Sequence, residues 1–166
     1  MSYDALRGVT VMFGGFDGFG TYTDTWEWDG SVWSQRAASG PTSSVEHAMV
    51  FDFARGVTCL FGGGWTTYVS GETWTWDGAK WINGSLNGPT PRYGHAFVFG
   101  ADRKVAVLFG GRVKSGNDSE TWEWNGAAWR QLAVTGPSKR HLHAMAYDEA
   151  RGVFVLFGGF TNTEVS

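Results

Sequence analysis

The chain has 166 residues, a formal net charge of −3 at pH 7 and one cysteine. So small a charge argues against a protein built to bind nucleic acid or anionic lipid, and one cysteine excludes an internal disulfide framework. No apolar run is long enough for a membrane span, so we predict none. Ten Trp and 25 Gly indicate large buried rings and many tight turns. Scarce lysine beside abundant Trp, Thr, Gly and Asn leans toward an extracytoplasmic location.

The first distinctive stretch along the chain is DTWEWDGSVW, residues 24–33. Trp26 and Trp28 are two residues apart, so in a strand both side chains lie on one face while Glu27 lies on the other. The Asp-Gly pair that follows is a strong signal for a two-residue hairpin turn, because glycine and aspartate tolerate positive φ. The stretch therefore predicts a β-hairpin whose second strand begins near Trp33.

This hairpin pattern returns twice, as ETWTWDGAKW and ETWEWNGAAW, at a constant spacing. Thr-Trp pairs begin at positions 25, 73 and 121, Gly-Pro pairs at 40, 88 and 136, and Gly-Gly pairs at 14, 62, 110 and 158. Three histidines keep the same register: His47, His95 and His143. Independent markers that share a period of 48 residues without slippage indicate an internal repeat.

Each repeat unit is predicted to contain four short strands and no helix. An apolar run such as HAMAYD, residues 143–148, ends at a turn, and a second strand such as GVFVLFGG, residues 152–159, ends at two glycines. The Trp-rich hairpin supplies the third and fourth strands, and no window shows helical periodicity. Four strands in a unit of about 45–50 residues are typical of β-propeller blades.

These markers resemble the kelch repeat family. The resemblance rests on Arg-x-x-His at the start of a unit (Arg92 with His95, Arg140 with His143), on the Gly-Gly pair, and on the aromatic third strand with its later Trp. It implies an all-β, kelch-type β-propeller fragment whose 48-residue units are four-stranded antiparallel blades, strand A innermost and strand D outermost. Two departures stand out. Ser44 replaces the Arg in one unit, and the third unit lacks Asp-x-x-Arg-Gly in its A–B turn, which leaves the shape of that turn open.

The repeat divides the chain into four segments. We expect a blade lacking most of its inner strand over 1–43, full blades over 44–91 and 92–139, and the inner two strands of a fourth blade over 140–166. Three and a half blades leave sheet edges unpaired and cannot close a ring. We therefore expect either that the chain is part of a six- or seven-bladed propeller or that a second copy completes the ring.

Several residue types have a structural interpretation beside a functional one. The in-register tryptophans could form a sugar-stacking surface, but their repetition favours packing of blade on blade, with Trp65 the exception. The three in-register histidines either bind a metal or, as we predict, make a repeated hydrogen bond between blades. Cys59 stands where other units have Val, which favours a buried apolar side chain over a nucleophile. We predict no catalytic residue, metal site or cofactor.

The variable part of the repeat is the B–C connection, which reads FDGFGTYTD, GWTTYVSGE and RVKSGNDSE. Antiparallel order places the B–C and D–A connections at the same end of every blade, and loops on a rigid scaffold commonly carry binding residues. The kelch resemblance also implies that the Arg before strand A lines the ligand face. The alternative is that these are ordinary solvated loop residues. The predicted binding residues are Phe16, Phe19, Tyr22, Trp65, Tyr68, Arg92, Arg112, Lys114 and Arg140.

Two classes of function fit this scaffold. The favoured one is a non-catalytic interaction module that binds a protein segment or a carbohydrate through the B–C and D–A face. The alternative is a propeller enzyme similar to galactose oxidase, with catalytic residues partly in blades outside this chain. That resemblance would imply a copper site with two Tyr, two His and a Cys crosslinked to Tyr, whereas Cys59 is at a core position and the histidines repeat. No pair of carboxylates breaks the register, as a grafted catalytic site should.

Overall fold

A computed structural model describes residues 1–42, 45–65, 68–84 and 87–161, with only the backbone at position 65. These residues form short β-strands, and no helix occurs among them. The strands are β1 (Ser2–Asp4), β2 (Val9–Phe16), β3 (Thr21–Trp28), β4 (Trp33–Ala37), β5 (Ala48–Asp52), β6 (Val57–Phe61), β7 (Gly64–Trp65), β8 (Tyr68–Val69), β9 (Thr73–Trp76), β10 (Trp81–Asn83), β11 (Ala96–Gly100), β12 (Val105–Phe109), β13 (Arg112–Val113), β14 (Gly116–Asn117), β15 (Thr121–Trp124), β16 (Trp129–Leu132), β17 (Ala144–Asp148) and β18 (Val153–Phe157).

The strands form one main sheet per repeat unit, and two further two-stranded sheets pair β7 with β8 and β13 with β14. Three sheets have four antiparallel strands, in the orders β1-β2-β3-β4, β5-β6-β9-β10 and β11-β12-β15-β16, while β17 pairs with β18. The first strand of each sheet packs beside its counterpart in the next, in the sequence β1, β5, β11, β17. The all-β prediction is therefore confirmed, and the arrangement is propeller-like. The described part of the chain contains no helix long and apolar enough to cross a membrane.

In the second and third sheets, a tryptophan packs onto the sheet before it. The ring centroid of Trp129 lies 4.9 Å from that of Phe61, and its Nε1 donates a hydrogen bond of 2.8 Å to Thr73 Oγ1. The equivalent residues 48 positions earlier make the same contacts: Trp81, Phe13 and Thr25. These contacts bear out the predicted blade-on-blade packing at the first two of the three junctions, because the indole spans two sheets and its polar N–H is satisfied there.

The two ends of the row of sheets lack this cover. Trp33, the counterpart of Trp129 in the first sheet, is 41% exposed, so the core prediction is wrong for this tryptophan. Phe157 is 82% exposed, although its counterparts Phe61 and Phe109 are buried. The exposed rings lie where the repeat places a neighbouring sheet.

The A–B turn has the same backbone shape in all four units. Where Asp-x-x-Arg-Gly is present, the Asp Oδ1 accepts the N–H of the Arg, as in Asp52 with Arg55. In the third unit Lys104 replaces the glycine and still has a φ of 53°. The glycines at this position have φ of 65–69°: Gly8, Gly56 and Gly152. The altered sequence therefore leaves the turn unchanged, and Lys104 adopts a left-handed backbone conformation that is unfavourable for a residue with a side chain.

The Gly-Gly pair that ends strand B is required by both backbone angle and space. Gly62 and Gly63 have φ of 63° and 95°. A Cβ on Gly62 would lie 2.6 Å from the Arg92 carbonyl oxygen, and one on Gly63 would lie 2.7 Å from His47 Cβ. Both glycines thus let strand B approach the segment that leads into the innermost strands.

Candidate functional site

The B–C and D–A connections lie at the same end of the sheets, which we call the loop face. Tyr93, just before strand A of the third unit, forms a bridge with Arg112 through N–H to O bonds of 3.1 and 2.8 Å. The variable B–C connections are hairpins: β7 pairs with β8, β13 with β14, and β2 with β3 out to Phe16 and Thr21. The loop face is therefore built on regular hydrogen-bonded backbone.

The first B–C hairpin carries three of the predicted aromatic residues, all exposed: Phe16, Phe19 and Tyr22. Its tip is organised by Asp17, whose carboxylate accepts the N–H groups of Phe19 and Gly20 at 2.9 Å and the Tyr22 hydroxyl at 2.7 Å. These hydrogen bonds lower the pKa of Asp17 to about 2. On the second hairpin Tyr68 is also exposed, while the Trp65 side chain lies outside the described atoms.

Arg92 lies beneath the loop face, although the sequence predicted it on the surface. Its side chain is fully buried, and its guanidinium donates to Thr90 O at 3.0 Å, Gly110 O at 2.9 Å and Glu120 Oε2 at 2.7 Å. Burial raises the pKa of Glu120, but hydrogen bonds from Trp122 and Arg92 outweigh it and leave that pKa below its usual value. Arg92 thus ties the D–A segment to strands B and C.

Arg140 repeats this arrangement in a more exposed setting. It donates to Ser138 O at 3.0 Å and to Gly158 O at 2.8 Å, the counterparts of the first two Arg92 acceptors. A third bond of 2.8 Å reaches Ser138 Oγ. Both arginines therefore hold backbone in place at the loop face, and a direct ligand contact by either of them stays a prediction.

Two of the predicted cationic residues line the same cleft on the loop face. The cleft has a volume of about 610 Å³ and lies between the hairpins of the second and third units. Arg112 and Lys114 are exposed there, and no ion pair joins either to another described residue. Their counterparts 48 positions earlier are Gly64 and Thr66, so the cations break the repeat. The cleft is lined by Val69, Thr90, Pro91, Tyr93, Arg112, Val113 and Lys114.

Sequence reasoning missed the rest of this lining, chiefly Pro91 and Tyr93. The sequence held one signal for them, because both residues adjoin Arg92. If the D–A segment places Arg92 at the loop face, it places Pro91 and Tyr93 there as well. The predicted aromatic residues of the first hairpin do not line this cleft. Position 93 also varies, with Val45 and His141 as its counterparts. Positions 93 and 141 form the same backbone bridge with different side chains, and variable side chains on a rigid scaffold are typical of a binding surface.

The in-register histidines contact aromatic rings of the preceding unit. His95 lies 5.4 Å from Phe61 and His143 lies 5.5 Å from Phe109, both edge to face. No ring nitrogen of these two histidines has a hydrogen-bond partner by strict geometry, yet backbone hydrogen bonding with Phe61 and Phe109 raises their pKa values slightly against the effect of burial. The inter-blade hydrogen bond therefore stays a prediction. Burial, with a smaller effect from the Arg92 charge, lowers the pKa of His95 to about 3.

This depressed pKa predicts an acid-sensitive fold. The unfolded chain, with a histidine pKa of about 6.5, binds the proton more readily than the folded chain, so stability is complete above that value and falls as pH drops toward 3. Between pH 7 and 5 we expect His95 to account for a loss of about 1–2 kcal/mol. Urea unfolding at both pH values should show a smaller loss for His95→Gln than for the unchanged chain. Equal losses would contradict the prediction.

No metal-binding group emerges from the part of the chain that the structure describes: no three His, Cys, Asp or Glu side chains there could share an ion. Cys59 is completely buried, and burial raises the pKa of its thiol to about 12. A thiol that stays protonated and inaccessible is a poor nucleophile. The structural interpretation of Cys59 therefore agrees with its surroundings.

The geometry above defines an all-β, β-propeller-like protein. No protein-family model matches the chain, and no curated protein matches its sequence. Among solved structures, that of YjhT is similar, with a TM-score of 0.67 and 15% sequence identity. The similarity covers 92% of this chain and 56% of that chain, so this chain spans little more than half the length of YjhT. At this identity the similarity shows the fold alone.

Proposed function

We propose that this chain is a kelch-type propeller module that binds a protein segment or a glycan without catalysis, through the cleft on the loop face. One observation carries the proposal: Arg112 and Lys114 lie together in a cleft, without ion-pair partners among the described residues. An exposed cation pair that breaks a structural repeat has no role in packing the sheets. A binding role explains why these charges are placed side by side.

The rest of the cleft supports binding of a ligand with both polar and apolar parts. Val69, Pro91 and Val113 supply apolar surface, and Tyr93 supplies a ring with a hydroxyl group. A volume of about 610 Å³ is within the usual range for ligand sites. Tyrosine and arginine, together with tryptophan, are the residue types enriched at interface hot spots. Further blades, from a longer chain or a second copy, would cover the exposed ends of the row of sheets.

The proposal predicts that cleft variants lose binding while keeping their fold. We expect an array of immobilised peptides and glycans to show specific binding, and Arg112→Ala and Tyr93→Ala each to weaken the strongest hit about tenfold or more. Lys80→Ala is the matched control, because Lys80 is an exposed cation in a C–D turn at the opposite end. Thermal melts should show that all three variants remain folded.

The result that would overturn the proposal is specific binding that survives both cleft substitutions in folded protein. Loss of binding in the Lys80 variant as well would show that the effect follows overall charge and not the cleft. Absence of any binding on both arrays would also count against it.

A further inference from the structure

A second groove lies at the opposite end, where the innermost strands meet their A–B turns. It has a volume of about 560 Å³ and is distinct from the cleft on the loop face. We call it the aromatic groove, because five of its lining residues are rings accompanied by one carboxylate: Tyr3, Phe51, Phe53, Phe99, Tyr147 and Glu149.

Four of these rings follow from the repeat and one does not. Positions 3, 51, 99 and 147 are aromatic in every unit, which fits a packing role along the inner strands. Phe53, in contrast, stands where other units have Ala5, Ala101 and Glu149, and its side chain is 54% exposed in a turn. A large exposed ring contributes little to the core there. Its position beside the other rings indicates a surface that becomes covered by a ligand.

The rings of the groove have defined orientations relative to their neighbours. Phe51 and Phe53 stand nearly perpendicular, with an interplanar angle of 86° and centroids 6.2 Å apart. Tyr147 is backed by Phe154 at 4.8 Å, and its hydroxyl donates a hydrogen bond to Asp102. This hydrogen bond raises the pKa of Tyr147 to about 12, so its ring remains neutral. Phe53 and Tyr147 therefore supply aromatic surface to the groove, whereas Phe51 is buried and supports Phe53 from behind.

The lining of the groove contains one carboxylate and no cation. Glu149 is exposed and forms no ion pair with any residue that the structure describes. The aspartates that precede the A–B turns are already paired within their own turns, as in Asp52 with Arg55 and Asp148 with Arg151. Aromatic faces and a free carboxylate both attract a cation, and the rings favour one with an apolar shell.

We propose that the aromatic groove binds a small quaternary ammonium compound, with its methylated nitrogen against Phe53 and Tyr147 and its charge near Glu149. The volume is suited to a small molecule. A metal ion would need several oxygen or nitrogen ligands, and no such cluster exists among the described residues. This proposal does not depend on the loop-face cleft.

The test is a titration with choline, followed by NMR of the aromatic side chains. We expect choline to bind about tenfold or more tightly than its neutral isostere dimethylbutanol, in which carbon replaces the nitrogen. Glu149→Gln and Phe53→Leu should each weaken choline binding about threefold to tenfold, because the first removes the charge and the second removes a π-face. Phe157→Leu, an exposed ring in the last sheet that does not line the groove, is the matched control and should change nothing.

Three outcomes would overturn the proposal. The isostere could bind as well as choline, which would make the groove merely apolar. Both groove variants, shown to be folded by thermal melts, could keep full affinity, which would place the binding elsewhere. A trimethyl-lysine peptide could bind more tightly than choline, which would assign the groove to a protein segment instead of a small molecule.

Discussion

Replacing Trp129 with alanine is expected to lower the free energy of unfolding by about 3–5 kcal/mol. Its indole contacts Phe61, Phe97 and Trp124 at centroid distances of 4.9, 5.5 and 5.4 Å, and its Nε1 bonds Thr73 across the junction between two sheets. Alanine would leave a cavity in the shared core and an unsatisfied hydroxyl beside it. Urea unfolding followed by tryptophan fluorescence and circular dichroism measures the loss.

The repeat itself provides the control for this experiment. Trp33 occupies the same position in the first sheet, but it is 41% exposed and has no preceding sheet in the described structure. Its principal ring contact is Trp28 within its own hairpin, at 5.6 Å. We expect Trp33→Ala to cost no more than about 1–2 kcal/mol, because little buried surface is lost. Equal losses at positions 33 and 129 would show that the junction between sheets is not the source of stability.

Replacing Arg92 with methionine is expected to cost about 3–5 kcal/mol, the usual range when one partner of a buried ion pair is removed. Arg92 is fully buried, so its removal leaves Gly110 O without its donor and Glu120 without its cation. The Glu120 side chain is partly exposed, and solvent screening places the expected loss near the lower end of this range. Urea unfolding at pH 7 measures the loss.

Acid should reduce the difference between this variant and the unchanged chain. The pKa of Glu120 is lowered in the folded state, so its contribution to stability is complete above the unfolded pKa of about 4.3 and is lost as pH falls through the lower folded value. Arg140→Met is the matched control, because Arg140 makes the same two backbone contacts in a more exposed position. A loss for Arg140→Met as large as that for Arg92→Met would contradict the prediction.

Stability measurements should distinguish the residues that hold the fold together from those that would bind a ligand on the loop face. Arg92 holds the D–A segment that carries Tyr93, whereas Arg112 and Lys114 extend from the neighbouring hairpin with no ion-pair partners among the described residues. Variants of Arg92 should therefore reduce stability and binding together, because they loosen one wall of the cleft. Variants of Arg112 should change binding alone.

What local sequence could predict was the strand pattern and the repeat. Alternation, Asp-Gly turns and Gly-Gly pairs act over a few residues, and their recurrence every 48 residues shows that each unit has the same form. The same register correctly indicated buried Cys59. It was misleading for Trp33, because a position in a repeat is buried only where a neighbouring unit covers it.

The φ angle of the residue before each in-register histidine illustrates a feature that the sequence could not predict. Glu46 and Leu142 have φ of 50° and 53°, close to the 61° of Gly94. Hydrogen bonds from Gly94 N to Glu46 O and from Leu142 N to Gly94 O link successive units through this segment. Neither Glu nor Leu signals a left-handed backbone in its own sequence context, so the packing of the units imposes it.

The amino-acid sequence by itself determined the sheets, their antiparallel order and the ends at which their connections lie, because those features depend on short-range periodicity and turn chemistry. Only the tertiary structure decided which side chains share a surface. It buried Arg92, placed Tyr93 beside Arg112, and brought Phe53 near Glu149, which is 96 residues further along the chain. The physical reason is that these contacts form where separate sheets meet at their inner strands and connections, and no local pattern encodes a distance between residues in different units.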